Sequence, residues 1–309
     1  MAVTEAAAPA PVKRRGDVVF FAIARAAGIT ILVALAGVAI FLTLEGAPAL
    51  TAPPSALEGK SGIVLYVWPL LYGTLLAALL AMLIATPLAI GVALVISHYS
   101  PRRLSKTLGY VIDLLAAVPS VVYGLWGIDF LGTRVIGFYA WLEDNLGFLP
   151  FFKGPATSGR TILTAGIVLA VMALPIITAV TREVFSQTPT LHQEAALALG
   201  ATRWEMIRMT VFPYARSGMI SATMLGLGRA LGETMAVAMV LSATGVVTVN
   251  LISTTNPSTI AANVALNFGE ASGLKVNVLI FSGLVLFVVT FAVNFAGRAI
   301  AARGVKGER

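Results

Sequence analysis

Long apolar stretches separated by short polar and basic segments run along almost the whole chain. A helix that crosses a bilayer needs about 20 mostly apolar residues, because it rises only 1.5 Å per residue through a hydrocarbon layer about 30 Å thick. The pattern predicts six such helices, at residues 18–44, 70–96, 108–131, 161–180, 218–241 and 276–299. The predicted fold is therefore all-α and polytopic.

Composition supports a membrane protein. The 309 residues are 58% hydrophobic and 11% charged, whereas soluble domains carry about 25% charged residues. A net charge of +7 could indicate a nucleic-acid partner, but the basic residues cluster between the apolar stretches, where they determine topology. The larger clusters all fall on one side: Lys13, Arg14 and Arg15, then Arg102, Arg103 and Lys106, then Arg203, Arg208 and Arg216, then Arg298, Arg303 and Lys306. We therefore expect no nucleic-acid partner, both termini in the cytoplasm, and a multi-pass protein of a prokaryotic cytoplasmic membrane.

The same pattern divides the chain into three parts. Residues 1–17 are rich in Ala and Pro and are predicted to be a disordered cytoplasmic tail. Residues 18–66 hold the first spanning helix, which is too long for a signal-peptide core, and an external loop. Residues 67–309 form the main transmembrane domain, with a second external segment at 133–160 and a cytoplasmic segment at 183–213.

The cytoplasmic segment reads "EVFSQTPTLHQEAALALGATRWEMIRMTVFP". Its first half favours a short helix, Gly200 favours a bend, and a second amphipathic turn leads to Pro213. Small residues allow close approach to a partner, so the segment suits a knob that inserts into a groove. The alternative is an ordinary surface loop with helical character.

In this segment Glu194, Ala195, Ala196, Gly200 and Pro213 match the spacing of the EAA loop of ABC importer permeases. The resemblance implies a type I ABC importer permease fold, in which this loop docks on an ATPase subunit. Three further stretches, "LLAAVPSVVYGLWG", "LTAGIVLAVMALPIITAVTREVF" and "GLGRALGETMAVAMVL", resemble the PstC-type phosphate permeases from about residue 73 onward. The resemblance implies phosphate as the substrate and three kinds of partner: a homologous second permease, an ATPase dimer and an external phosphate-binding protein.

Arg229 and Glu233 lie in the fifth predicted helix, where each charge costs roughly 2.5–3.5 kcal/mol on the mildest insertion scale. They are predicted to share one helix face at i and i+4. One hypothesis is a self-neutralising pair that locks helix packing. The other is a substrate path, because a guanidinium fork matches two oxygens of an anion. The resemblance to PstC-type permeases favours the second hypothesis. It implies Arg229 as the anion contact and Glu233 as its gatekeeper, and Thr234 is a weaker candidate as a hydroxyl donor.

Catalytic motifs are absent from the sequence. "EGKSG" lacks the first glycine of a P-loop, and neither HExxH nor GxSxG occurs. The chain is therefore predicted to be non-catalytic, without a metal site or cofactor of its own, and ATP and Mg²⁺ are expected on the partner ATPase.

Three other functions stay open at this point. The permease could carry another oxyanion, such as sulfate or molybdate. The chain could be an ion-coupled secondary transporter, for which one expects inverted repeats and paired broken helices that the sequence does not show. It could also be a scaffold or sensor, but that function leaves Arg229 and Glu233 unexplained.

Overall fold

A computed structural model describes residues 15–154 and 157–306, and within these ranges the chain is built from helices without a named strand. The helices are α1 (Arg15–Gly46), α2 (Ile63–Leu94), α3 (Arg102–Ala116), α4 (Ser120–Leu125), α5 (Gly132–Leu146), α6 (Ile162–Ser186), α7 (Thr190–Ala198), α8 (Arg203–Met206), α9 (Phe212–Leu231), α10 (Met235–Val240), α11 (Ile260–Asn267) and α12 (Leu274–Lys306). Short π-helical segments extend α2 and join α4 to α5 and α8 to α9: Val95–Tyr99, Trp126–Leu131 and Ile207–Val211. The predicted tail lies outside the described residues as far as residue 14, and residues 15–17 begin α1.

The sequence predicted six membrane-spanning helices, whereas five helices in the described ranges are long and apolar enough to cross a membrane. These five are Gly16–Thr51, Ile63–Tyr99, Ser120–Leu146, Ile162–Ser186 and Leu274–Ala301. Four of them correspond to the first, second, fourth and sixth predictions. The third and fifth predicted helices are each interrupted, so the sequence missed two breaks. The helix that follows the first break also continues to Leu146, through residues predicted as part of an external segment.

The first break falls between α3 and α4, at residues 117–119. Pro119 disfavours the α conformation at the residue before it, and it is itself the N-cap that precedes α4. The second break falls at residues 232–234, between α9 and α10. Both helices that the sequence predicted as continuous are therefore two-part helices.

Helix α6 lies at the centre of the fold. In its most apolar 18-residue stretch 67% of the residues are buried, whereas none is buried in the corresponding stretch of α1. A stripe of alanines in α2 faces it: Ala77, Ala81, Ala85 and Ala89, each at most 1% exposed. Small side chains at this spacing let two helices approach closely, and Gly166 of α6 accordingly fits against Leu80.

Both two-part helices run antiparallel to α6. Along one of them, Gly109 lies against Arg182 and Gly127 lies against Val168. Along the other, Gly218 lies against Val184 and Gly226 against Ile177. The centre of the fold is therefore one continuous helix flanked by two interrupted ones.

Candidate functional site

The break between α9 and α10 holds the three residues predicted to line a substrate path. Helix α9 ends at Leu231 and α10 begins at Met235, with Gly232 as the C-cap of the first. Glycine is about 1 kcal/mol less favourable than alanine inside a helix, which makes it a natural end point. The predicted continuous helix is wrong here.

The i, i+4 spacing leaves open whether Glu233 pairs with Arg229, and in this structure Glu233 binds elsewhere. Its side chain is buried, 8% exposed, and Oε1 accepts a hydrogen bond of 3.0 Å from the backbone N–H of Ala236 in the first turn of α10. The broken backbone turns the two side chains out of one helical register. Within the part of the chain that the structure describes, no ion pair joins Arg229 and Glu233.

Arg229 lies in the last turn of α9, partly buried, where a cation is favoured by the negative end of the helix dipole. Thr234 is partly buried at the break, and its hydroxyl donates to the Gly232 carbonyl over 3.2 Å. The end of α9 and the break that follows it thus place a guanidinium, a carboxylate and a hydroxyl within residues 229–234.

Two glycines of α4 and its π-helical extension bring that segment against α10. A Cβ at Gly124 would come within 3.0 Å of the Ala236 Cα, and one at Gly127 within 2.8 Å of a Val240 methyl. The "VPSVVYGLWG" and "GETMAV" stretches therefore pack on each other, each just beyond a helix break. Irregular backbone at membrane depth is tolerated where it lines a cavity or is buried in protein.

Asn256 is a residue that the sequence reasoning missed. It is 0% exposed, and its amide donates to the carbonyls of Ser253 (2.9 Å) and Arg160 (3.2 Å) while its oxygen accepts from the N–H of Ile162 (3.2 Å). It anchors the segment between α10 and α11 to the start of α6. The Asn-Pro dipeptide at 256–257 is a turn signal that could have indicated it.

The coupling segment, residues 183–213, contains the predicted helix and bend. Helix α7 holds Glu194, Ala195 and Ala196, and none of its residues is buried, although Ala196 is half-buried against the neighbouring core. Gly200 has φ +87°, a left-handed conformation that favours glycine. Leu199 beside it is 90% exposed.

The second half of the coupling segment differs from the prediction of a separate short helix. Helix α8, the π segment and α9 follow one another without interruption, and Pro213 lies in the first turn of α9. Thr202 and Glu205 form a capping box at the start, in which Glu205 accepts from the Thr202 N–H and hydroxyl, both over 2.8 Å. These two hydrogen bonds lower the pKa of the Glu205 carboxyl. Helix α9 therefore continues the second half of this segment directly, and Arg229 lies at its far end.

Metal chemistry finds no support in the described ranges, where no three His, Cys, Asp or Glu side chains gather closely enough to hold an ion.

Sequence comparison places the chain among transport proteins. Residues 85–305 match the family described as binding-protein-dependent transport system inner membrane component. "Phosphate transport system permease protein PstC 2" of Mycobacterium tuberculosis is 46% identical over 307 residues, which cover 95% of this chain and 94% of the relative. The PstC protein of Mycobacterium leprae is 42% identical, over 87% of this chain and 88% of its own length.

Solved structures show the same fold at low identity. A chain of a bacterial alginate ABC transporter, in complex with an alginate pentasaccharide-bound periplasmic protein, aligns with a TM-score of 0.64. The alignment covers 94% of this chain and 96% of that one at 15% identity. An inward-facing MetNI methionine ABC transporter aligns with a TM-score of 0.53 at 17% identity, over 77% of this chain and 94% of that one. The all-α permease fold is thereby confirmed.

Proposed function

This chain belongs to the family of binding-protein-dependent transport system inner membrane components, and on that premise we propose that it is the permease subunit of an ATP-driven importer of inorganic phosphate. The assignment of phosphate as the substrate rests on the match of almost the whole chain to relatives named as phosphate permeases, at 46% and 42% identity. The importer works by alternating access.

Arg229 is the anion contact in this proposal. A guanidinium stays charged at all relevant pH values and offers paired donors to two phosphate oxygens. Arg229 is available for this because Glu233, its nearest acidic neighbour in sequence, is bound to the Ala236 N–H instead. A discontinuous helix is also the setting in which transporters hold their substrates.

Glu233 is the gatekeeper and Thr234 an additional donor. With its carboxylate held at the start of α10, Glu233 leaves Arg229 open to an anion in the described state. When the two parts of the helix move, the carboxylate can replace phosphate on Arg229 and repel the departing anion. The Thr234 hydroxyl can donate to a phosphate oxygen once it leaves the Gly232 carbonyl.

Coupling to ATP runs through Glu194, Ala195, Ala196, Gly200 and Pro213. The exposed surface of α7 supports a docking role, since it is apolar at Leu191 and Leu199 and lacks buried residues of its own. ATP and Mg²⁺ act on a separate ATPase dimer, whose closure moves the coupling segment. This chain itself supplies no catalysis.

The complete importer also holds a homologous second permease and an external phosphate-binding protein. We place it in the cytoplasmic membrane of a prokaryote, surrounded by lipid, with both termini in the cytoplasm. The clusters of Lys and Arg between the apolar helices support that orientation.

Uptake of radiolabelled phosphate tests the substrate. Vesicles would hold the chain with its co-purifying partners, and binding protein would be added from the external side with excess sulfate as competitor. ATP-dependent uptake that resists sulfate is expected. Block by sulfate would assign another oxyanion, and uptake that needs an ion gradient but no ATP would indicate a secondary transporter, which the paired helix breaks alone would allow.

Substitutions at the break test the mechanism in the same vesicles. Arg229→Leu should lower uptake by roughly 10- to 150-fold, the range for loss of a charge-assisted hydrogen bond. Glu233→Gln keeps an acceptor for the Ala236 N–H, so it should lower the maximal rate and KM together by slowing phosphate release. Arg216→Leu is the matched control, an exposed arginine in the same helix. Normal uptake in both break variants would contradict the assignment.

A further inference from the structure

The cytoplasmic end of α6 is fastened to α3. Arg182 lies in the last turns of α6, and its guanidinium packs over Gly109, where a Cβ would collide with Nη1. Its Nη2 lies 3.6 Å from Oδ2 of Asp113 on the next turn of α3. Arg182 directly precedes the coupling segment, so this contact joins that segment to α3.

The other end of α3 is fastened across the first helix break. A helix ends with four carbonyls that have no partner in its regular pattern, and at the break after α3 the carbonyls of Leu114 and Leu115 accept from the backbone N–H groups of Ala117 and Val118. The Tyr123 hydroxyl in α4 donates to one of them, the carbonyl of Leu115, over 2.9 Å. Tyr123 is 8% exposed, so this hydrogen bond is shielded from water.

Beyond Tyr123 the connection reaches the proposed anion contact. Tyr123 is next to Gly124, which packs on Ala236 of α10, and the backbone N–H of Ala236 binds the Glu233 carboxylate at the break that follows Arg229. From Gly109 to Leu115 is about 9 Å along the α3 axis at 1.5 Å per residue. One short, rigid piece of helix therefore separates the contact beside the coupling segment from the Tyr123 contact at the first helix break, and α4 carries the connection on to α10.

We infer that Asp113, Arg182 and Tyr123 are positioning residues that transmit movement of the coupling segment, through α3, to the packed pair α4 and α10. The inference rests on the proposed function, because it assumes that the break around Arg229 carries phosphate. Rigid helices joined by two discrete contacts pass on displacement without touching the substrate themselves. Loss of either contact should uncouple ATP hydrolysis from transport while substrate and ATPase still bind.

A double-mutant cycle on the assembled importer tests this, with phosphate transported per ATP hydrolysed as the readout. Tyr123→Phe should lower the ratio about fivefold, the equilibrium change that one net hydrogen bond produces. Asp113→Asn should lower it by about 1.5- to fivefold, the range for loss of a partly exposed ion pair. The double variant should have the same ratio as the more damaging single variant, because both changes interrupt the same connection. Gly109→Ala displaces Arg182 without altering charge and should reproduce Asp113→Asn.

Matched controls separate this role from general damage. Tyr110→Phe removes a hydroxyl from a 71% exposed tyrosine of α3, and Asp129→Asn removes an exposed carboxylate beyond α4; both should keep the wild-type ratio. Losses that multiply in the double variant, or unchanged ratios in all variants of a working importer, would overturn the inference. Absence of ATP-dependent phosphate uptake by the wild type would instead overturn the proposed function, and the inference with it.

Discussion

Two regions of the molecule differ sharply in burial. One is the break between α9 and α10, and the other is the coupling segment. At the break, Glu233 is 8% exposed and the neighbouring backbone packs against Gly124 at van der Waals limits. In the coupling segment, α7 has no buried residue and Leu199 is 90% exposed. The first region takes its shape from the packing of this chain, whereas the second leaves apolar side chains such as Leu199 exposed.

This difference predicts how each region fails. A substitution at the break should damage the fold of the helix pair and stop transport directly. A substitution on α7 should leave the fold intact and remove only an association. The following four changes separate these outcomes, beginning with the most damaging.

Gly124→Leu should reduce phosphate uptake to background. Even a Cβ would press against the Ala236 backbone, and overpacking of this kind costs about 1–3 kcal/mol or moves the backbone. The ATPase should still co-purify, because the coupling segment is untouched. Gly137→Leu is the control, since a Cβ there meets nothing within 4 Å. Full uptake by the Gly124 variant would show that α4 and α10 need not pack closely.

Leu199→Glu should weaken binding of the ATPase by roughly 30-fold or more, the loss expected from a hot-spot residue. The chain itself should unfold at the same temperature in detergent, because exposed substitutions usually change stability by less than about 0.5 kcal/mol. Co-purification and thermal unfolding measure the two effects. Phe148→Glu alters a similarly exposed side chain, 79% exposed, outside the coupling segment and should affect neither. A lowered unfolding temperature with normal ATPase binding would show that Leu199 stabilises the fold and does not bind the ATPase.

Asn256→Ala should destabilise the chain by about 1–3 kcal/mol, because the N–H of Ile162 loses its acceptor in a buried setting. Thermal unfolding of the purified complex measures this. Asn267→Ala serves as the control, as that asparagine is exposed. Equal stability of the two variants would mean that the segment between α10 and α11 is held by other contacts.

Gly200→Ala should have the smallest effect, a severalfold loss of uptake. No atom lies within 4 Å of the added Cβ, so the cost is the left-handed conformation alone, about 1–2 kcal/mol. Gly200→Asn should restore part of the activity, since asparagine adopts that conformation more readily. If alanine and asparagine behave alike, the bend does not depend on φ at this position.

Much of the fold could be predicted from the sequence because lipid imposes a simple rule on length and composition. Helices α1, α2, α6 and α12 follow from that rule. The helix and bend of the coupling segment could be predicted from the EAA-loop motif, and Gly200 of that motif has a positive φ in the structure. The break before Pro119 was also accessible, since a residue preceding proline disfavours the helix.

The rest could not be predicted because it depends on contacts between distant segments. A glycine such as Gly232 occurs inside many continuous helices, and only the Glu233 hydrogen bond to Ala236 shows that the helix ends there. The break that separates Glu233 from Arg229 in α9 could not be predicted for the same reason. Tyr123 and Asn256 carry no local signal strong enough to name their partners at Leu115 and Ile162.

The exposed surface of the coupling segment also bears on the fate of the chain before assembly. A newly inserted subunit without its partners displays Leu191, Leu199 and Trp204, each more than half exposed, at a site reachable by soluble proteases and chaperones. Marginally protected proteins are removed continuously by such surveillance. We expect the unassembled subunit to have a short half-life that lengthens when the ATPase is co-expressed, so that the cell adjusts the number of permeases to the number of motors by degradation alone.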